Sequence, residues 1–156
     1  MQEYLIHPDF TLVLIWKKNR MEKTLLQPAD SGTTNCMRTS PEPSRTLKNL
    51  YRYYLHREPL HQELPLDWQK IPPFRARVLK TLFRLVPWGT TVTYSRLAAM
   101  AGNPGAVRAV GTAMAGNPWP VIIPCHRVIK ADNGLGGFSC GTEFKKKLLA
   151  LEDIIL

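Results

Sequence analysis

The run Asn117-Pro118-Trp119-Pro120-Val121-Ile122-Ile123-Pro124-Cys125-His126-Arg127-Val128-Ile129 constrains this chain more than any other stretch. Its centre is a cysteine followed at once by a histidine, entered through a proline and flanked by β-branched apolar residues. Val121 to Ile123 and Val128-Ile129 read as buried extended chain. Pro124 has no N–H and biases Ile123 towards an extended conformation, so a strand here is expected to break where the cysteine stands. A thiol beside an imidazole at such a break is placed for chemistry. The competing reading is packing, because free cysteine is among the most buried residue types. Neighbours on an extended chain face opposite ways, so His126 is expected to reach Cys125 through a bent backbone or a water, not directly.

The formal charge of +9 over 156 residues is unevenly spread. Residues 71–156 hold 11 Lys and Arg against 4 Asp and Glu, whereas residues 1–70 hold 10 against 8. A basic half suits a polyanionic partner, although a solvated surface is the plainer explanation of a charge excess. Cys36, Cys125 and Cys140 form no C-x-x-C and no zinc-like spacing with the four histidines, so no metal is expected. An odd cysteine count without a framework suggests a reducing compartment. The early apolar run Phe10 to Trp16 is too short for a signal peptide and is followed, not preceded, by lysines. Nothing approaches transmembrane length, and a cytoplasmic protein, nuclear in a eukaryote, is expected.

Phe10 to Trp16, Lys17 to Arg20 and Met21 to Leu26 read as a β-hairpin. Ala29 to Pro43 is polar and reads as a loop. Ser44 can cap a helix to about His56, with Leu47, Leu50, Tyr51, Tyr54 and Leu55 on one face. Pro59 to Pro73 reads as a linker. Pro72-Pro73 opens a helix with Phe74, Val78, Leu82 and Leu85 at helical spacing, ended by Pro87-Trp88-Gly89. A short β piece, Thr91 to Thr93, precedes a helix from Tyr94 or Ser95 to Ala101. Gly102-Asn103 breaks it, and Pro104 suits the first turn of another helix running to Ala115. That is the outline of a helix-turn-helix. A glycine-rich loop, Gly134 to Gly141, precedes a last helix that Thr142 can cap, with Phe144, Leu148, Leu149 and Glu152 on a broad face.

The 104–115 helix is rich in small side chains, among them Gly105, Ala106, Ala109, Gly111, Ala113 and Ala115. Tight helix packing accounts for these as readily as a narrow partner does. A major-groove reader carries long polar donors, whereas Arg108 is the sole long cation here. Small residues with one arginine suit the minor groove.

Pro124-Cys125-His126-Arg127-Val128, preceded by Gly116-Asn117-Pro118, resembles the active-site motif of the O6-alkylguanine-DNA alkyltransferases. Val92-Thr93-Tyr94, Gly102-Asn103-Pro104, Arg108-Ala109-Val110-Gly111 and Leu148-Leu149-Ala150-Leu151-Glu152 fall in the family's order. The resemblance covers about residues 72 to 156 and is faint over residues 1 to 70. It implies an α+β fold. A small amino-terminal α/β domain with a ribonuclease-H-like sheet, 1–68, would precede a mostly helical domain, 72–156, with a winged-helix-like helix-turn-helix.

The resemblance further implies irreversible transfer of an alkyl group from guanine in double-stranded DNA to Cys125, once per molecule, by a monomer without cofactor. His126 would serve as base through water, Glu152 would orient His126, and Asn117 would fix the turn before the cysteine. Tyr94 would donate to the flipped base. Arg108 would fill the gap in the duplex, with Ala106, Ala109 and Gly111 along the minor-groove helix. Met114, Pro120, Phe138 and Ser139 would line the pocket. Two departures stand out: Phe138 replaces a common tyrosine, and Cys140 stands where glycine is commoner. The rival readings are an alkyltransferase-like protein that binds lesions without repairing them, a basic helix-turn-helix regulator, and a cysteine hydrolase. The first replaces the cysteine that this chain keeps, and the last needs an oxyanion hole that nothing in the sequence suggests.

Overall fold

Lys18 and Asn19 both take positive φ, 48° and 62°, in a two-residue turn that matches the twist of the strands it joins. Strands β2 (Phe10–Lys17) and β3 (Arg20–Pro28) therefore form the expected hairpin, antiparallel, with an irregularity between Ile15 and Trp16. The computed structural model describes residues 1–29, 36–38, 43–58, 60 and 64–156. The chain falls into two compact units, Met1–Trp68 and Gln69–Leu156.

In the first unit a further strand, β1 (Gln2–His7), pairs antiparallel with β2 on one side and with β4 (Cys36–Arg38) on the other. The sheet order is β3-β2-β1-β4. Neither β1 nor β4 is foreseen by the sequence pattern; β4 falls within the stretch read as loop, most of which is outside the described residues. Helix α1 (Arg45–His56) is capped by Ser44, whose hydroxyl accepts from the Leu47 N–H at 3.1 Å. Buried Glu3 holds that cap in turn, accepting from Ser44 N at 2.6 Å and from Ser44 Oγ at 2.7 Å. Leu47, Leu50 and Tyr54 are buried, as are Leu5, Phe10, Leu12 and Leu14 of the sheet. Within the stretch read as linker, Leu66 is buried and bridges Met21.

In the second unit, α2 (Pro73–Leu85) starts with Pro73 in the first turn, where a missing N–H costs nothing. Its buried residues are Val78, Leu79 and Leu82; Leu85, placed on the apolar face by spacing, is exposed because the helix ends there. Strand β5 (Val92–Thr93) leads into α3 (Tyr94–Met100), which ends at Gly102 with φ 78°. Helix α4 is Val107–Ala115, starting three residues later than Pro104 suggested. Pro104 and Gly105 occupy the middle of a turn closed by Ala106 N donating to Asn103 O at 3.0 Å, and Ala106 is only the cap. Strand β6 (Val128–Ile129) pairs parallel with β5, and α5 (Thr142–Leu151) follows. Thr142 is the first helical residue and not the cap, a position taken by Gly141 at φ 96°. Helices α2, α3 and α4 pack on one another. No helix of the described residues is long and apolar enough to cross a membrane.

Candidate active site

The approach to Cys125 is a turn, not the extended strand its apolar residues suggest. Val121 sits at φ 75°, a conformation costly for a β-branched residue, and Pro120 makes an isolated bridge to Ile123. The three prolines remove the donors a strand would need, and side-chain bonds hold the backbone instead. Asn117 Oδ1 accepts from Trp119 N at 3.0 Å, and Asn117 Nδ2 donates to Ile123 O at 3.0 Å and to Cys125 Sγ at 3.1 Å. Cys125–Arg127 then forms one 3-10 turn, all three residues buried. Successive side chains of a tight turn diverge differently from those of a strand, so the thiol faces Asn117 while the imidazole turns towards Glu152.

His126 Nε2 lies 2.7 Å from Glu152 Oε1. An ionised carboxylate only accepts, so Nε2 carries the proton and Nδ1 is the basic nitrogen. Nδ1 is buried without a hydrogen-bond partner among the described protein atoms. Arg127 grips the same carboxylate, Nε to Oε2 and Nη2 to Oε1, each at 2.8 Å. Its Nη1 donates to Val86 O at 2.7 Å, and Gly89 N donates to Glu152 Oε2 at 3.2 Å. Sequence reasoning proposed Glu152 for His126 alone and passed over Arg127. The carboxylate is a four-donor hub. Burial works against its charge, but the bonds from His126 and Arg127 prevail and hold its pKa below the carboxylate norm.

Burial pushes the Cys125 thiol up to about 11; the Asn117 bond and the Lys145 charge pull the other way without overcoming it. The resting sulfur is thus a neutral thiol, and burial likewise lowers the pKa of His126, keeping the imidazole uncharged. Lys145 is a second residue that sequence reasoning missed. It is fully buried, donates from Nζ to Val128 O at 2.6 Å, and is brought down to about 8 by burial, an effect that a Cys125 thiolate, once formed, partly offsets. A charged side chain facing a core is visible in sequence only as Lys145 preceding Leu148-Leu149 on one helical face.

Cys125 contributes to the wall of a cavity of about 390 Å³ shared with Tyr94, Gly111, Met114, Ala115, Gly137, Phe138 and Ser139. Tyr94, Met114, Phe138 and Ser139 thus stand together around the thiol. Pro120, expected among them, does not line the cavity; it is buried in the turn against Ile123. Tyr94 packs on Gly136, where an added Cβ would stand 2.9 Å from the phenol oxygen. Burial, and then a Cys125 thiolate once formed, raises the Tyr94 pKa, so its hydroxyl keeps its proton. Gly111 faces the cavity, whereas Arg108 and Ala109 are exposed on α4 and Ala106 is half-buried. Among the described residues no group of three or more His, Cys, Asp or Glu is placed to hold a metal ion.

The second unit thus sets a buried thiol at the edge of a cavity, in the same short turn as a buried imidazole that bonds a carboxylate, with α3 and α4 packed as a consecutive helix pair beside it. A family profile described as "6-O-methylguanine DNA methyltransferase, DNA binding domain" matches residues 73–154. The chain belongs to that family. It is 40% identical over 117 residues to the methylated-DNA--protein-cysteine methyltransferase of Homo sapiens, covering 72% of this chain and 56% of the human one. The protein of that name from Methanothermobacter thermautotrophicus is 32% identical over 153 residues, covering 97% of this chain and 85% of the relative. The chain spans about half the length of the human, rat and mouse relatives it matches. Among solved structures, Mycobacterium tuberculosis OGT in complex with DNA superposes with a TM-score of 0.75 at 32% identity, covering 97% of this chain and 92% of that one.

Proposed function

We propose that this chain repairs O6-alkylguanine in double-stranded DNA by taking the alkyl group onto Cys125, once per molecule. The observation that carries the reading is the position of Cys125, shared between the cavity on one side and the Asn117 amide on the other, in the same turn as the His126–Glu152 pair. A water at His126 Nδ1 takes the thiol proton, and the sulfur attacks the alkyl carbon as the bond to the guanine oxygen breaks. The departing base is protonated from the Tyr94 hydroxyl. Lys145 favours the thiolate as it forms. A neutral resting thiol suits this order of events, since charge develops only when substrate fills the cavity.

In this reading α3 and α4 are the helix-turn-helix of a winged-helix-like domain, and α4 enters the minor groove, where Ala106, Ala109 and Gly111 permit close approach. Arg108 takes the place of the flipped nucleotide. The domain of residues 1–68 is ribonuclease-H-like, and that of residues 72–156 carries DNA and active site alike. The protein acts as a monomer, without metal or cofactor, in the reducing cytoplasm or nucleus. Likeness to the human enzyme's name and to a structure holding DNA supports the substrate class.

The test is mass spectrometry of the protein after exposure to duplex DNA containing O6-methylguanine. One methyl group per chain, on Cys125, is expected, and Cys125→Ala should abolish transfer while retaining DNA binding. Methylation of Cys140 or Cys36 instead would overturn the assignment of the nucleophile, and binding without transfer would favour a lesion-binding protein. Arg108→Ala should slow repair of the duplex more than reaction with the free alkylated base; equal slowing would remove Arg108 from its role.

A further inference from the structure

The first unit holds a second surface suited to nucleic acid. Residues 1–68 are nearly neutral, with nine Lys and Arg against eight Asp and Glu. That balance is not spread evenly. Residues 44–57 carry Arg45, Lys48, Arg52 and Arg57 and no acid, leaving five cations against eight acids in the rest of the unit. On α1 the buried side is Thr46, Leu47, Leu50 and Tyr54, and Arg45, Lys48, Arg52 and His56 are exposed. At about 100° per residue the positions 45, 48, 52 and 56 fall within one narrow stripe. At about 1.5 Å rise per residue, Arg45, Lys48 and Arg52 stand roughly 4.5 and 6 Å apart along the axis.

Helix stability explains only the C-terminal end of this pattern, where His56 stands in the last turn. Arg45 lies in the first turn, where the helix dipole disfavours a cation, and that turn has no acidic residue. No acid within α1 stands three or four residues from any of the cations, so the contacts that Arg45 and Lys48 make are not intrahelical ion pairs. Arg52 pairs with Glu58 beyond the helix end, an exposed contact worth little in water. The stripe is also rigidly presented, because Glu3 fixes the Ser44 cap.

We infer that the exposed face of α1 is a second DNA-backbone contact surface, supplied by the first unit and separate from the helix-turn-helix. Its occupant is duplex phosphate, which it neutralises without reading sequence. This rests on the DNA-repair reading above, and the experiment separates the two. The 156-residue chain and the triple variant Arg45→Gln, Lys48→Gln, Arg52→Gln are compared on undamaged duplex across a salt series. Transfer to the free alkylated base is measured alongside.

For every phosphate that the variant no longer neutralises, the salt slope should shrink by about 0.9, a factor of about eight in affinity at about 0.1 M salt. Free-base transfer should be unchanged, which shows the variant folded. A charge-restoring variant, with Lys at all three positions, should bind as the original does. Unchanged affinity and slope in the glutamine variant would overturn the α1 surface while leaving repair intact. Weaker binding at an unchanged slope would overturn it too. Failure of the unaltered protein to accept an alkyl group from the free base would instead strike the repair reading.

Discussion

Glu152 and His126 are 26 residues apart in sequence and 2.7 Å apart in space, both buried, and no other acid bonds to the imidazole among the described residues. The pair fixes which ring nitrogen is basic, and that relationship sets the first expectation. Glu152→Gln and His126→Ala should each slow transfer, and the double variant should be little slower than His126→Ala alone, since without the imidazole the carboxylate has nothing to orient. Single-turnover rates across pH for the four proteins measure this. Losses that multiply would dissolve the relay.

Arg127 should matter to stability before it matters to rate. It supplies two of the four donors on Glu152 and ties Val86 O to the same hub. Arg127→Met leaves a buried carboxylate short of partners, at a cost of about 3–5 kcal/mol. Arg127→Lys should rescue little, because an ammonium cannot reproduce the planar two-point grip. Chemical denaturation reads both, and near-full rescue by lysine would show that charge alone suffices.

Two buried groups give stability a pH signature. Lys145 titrates at about 8 when folded against 10.5 otherwise, so between these values the unfolded chain binds more protons and stability rises with pH. Cys125 titrates at about 11 when folded against 9.0 otherwise, so over that window the folded chain binds more protons and stability falls. The two oppose each other. Cys125→Ala should therefore unmask a rise of roughly 2–3 kcal/mol between about pH 8 and 10.5, at 1.36 kcal/mol per unit. Adding Lys145→Met should flatten it. Denaturation series of the two variants decide the matter.

Gly136→Ala is expected to impair chemistry without weakening DNA binding. The residue sits at φ 67°, and an added Cβ would meet the Tyr94 hydroxyl at 2.9 Å. The phenol must move from its place in the cavity wall. Transfer rates should fall several-fold while affinity for undamaged duplex stays the same; a change in affinity alone would place Tyr94 elsewhere in the mechanism.

Local rules made much of this molecule legible. Ser44 through its hydroxyl, and Pro73 and Gly102 through their backbones, mark helix ends by local chemistry, and each does so in the structure. Burial decided by distant partners was not legible. Arg127 and Lys145 have side chains that normally seek water; they are buried because Val86 O, Val128 O and Glu152 receive them. The same holds for β1, where buried Glu3 and His7 interrupt the apolar pattern that marks a strand. Val121 to Ile123 misled for the opposite reason. The side chains are strand-like, but a positive φ and three prolines bend the chain into a turn.

The Glu152 hub also bears on the order of assembly. Gly89, one of its donors, is 63 residues earlier in the chain, and Val86, tied through Arg127, is 41 residues before that arginine. Closing loops of that length gives up chain entropy before any bond forms, so the hub is expected to close late in folding. Until α5 docks, His126 has no carboxylate to orient it. A second unit with its helices formed and α5 undocked would therefore lack the His126–Glu152 pair: on the proposed mechanism, completing the fold and setting the trigger are one event.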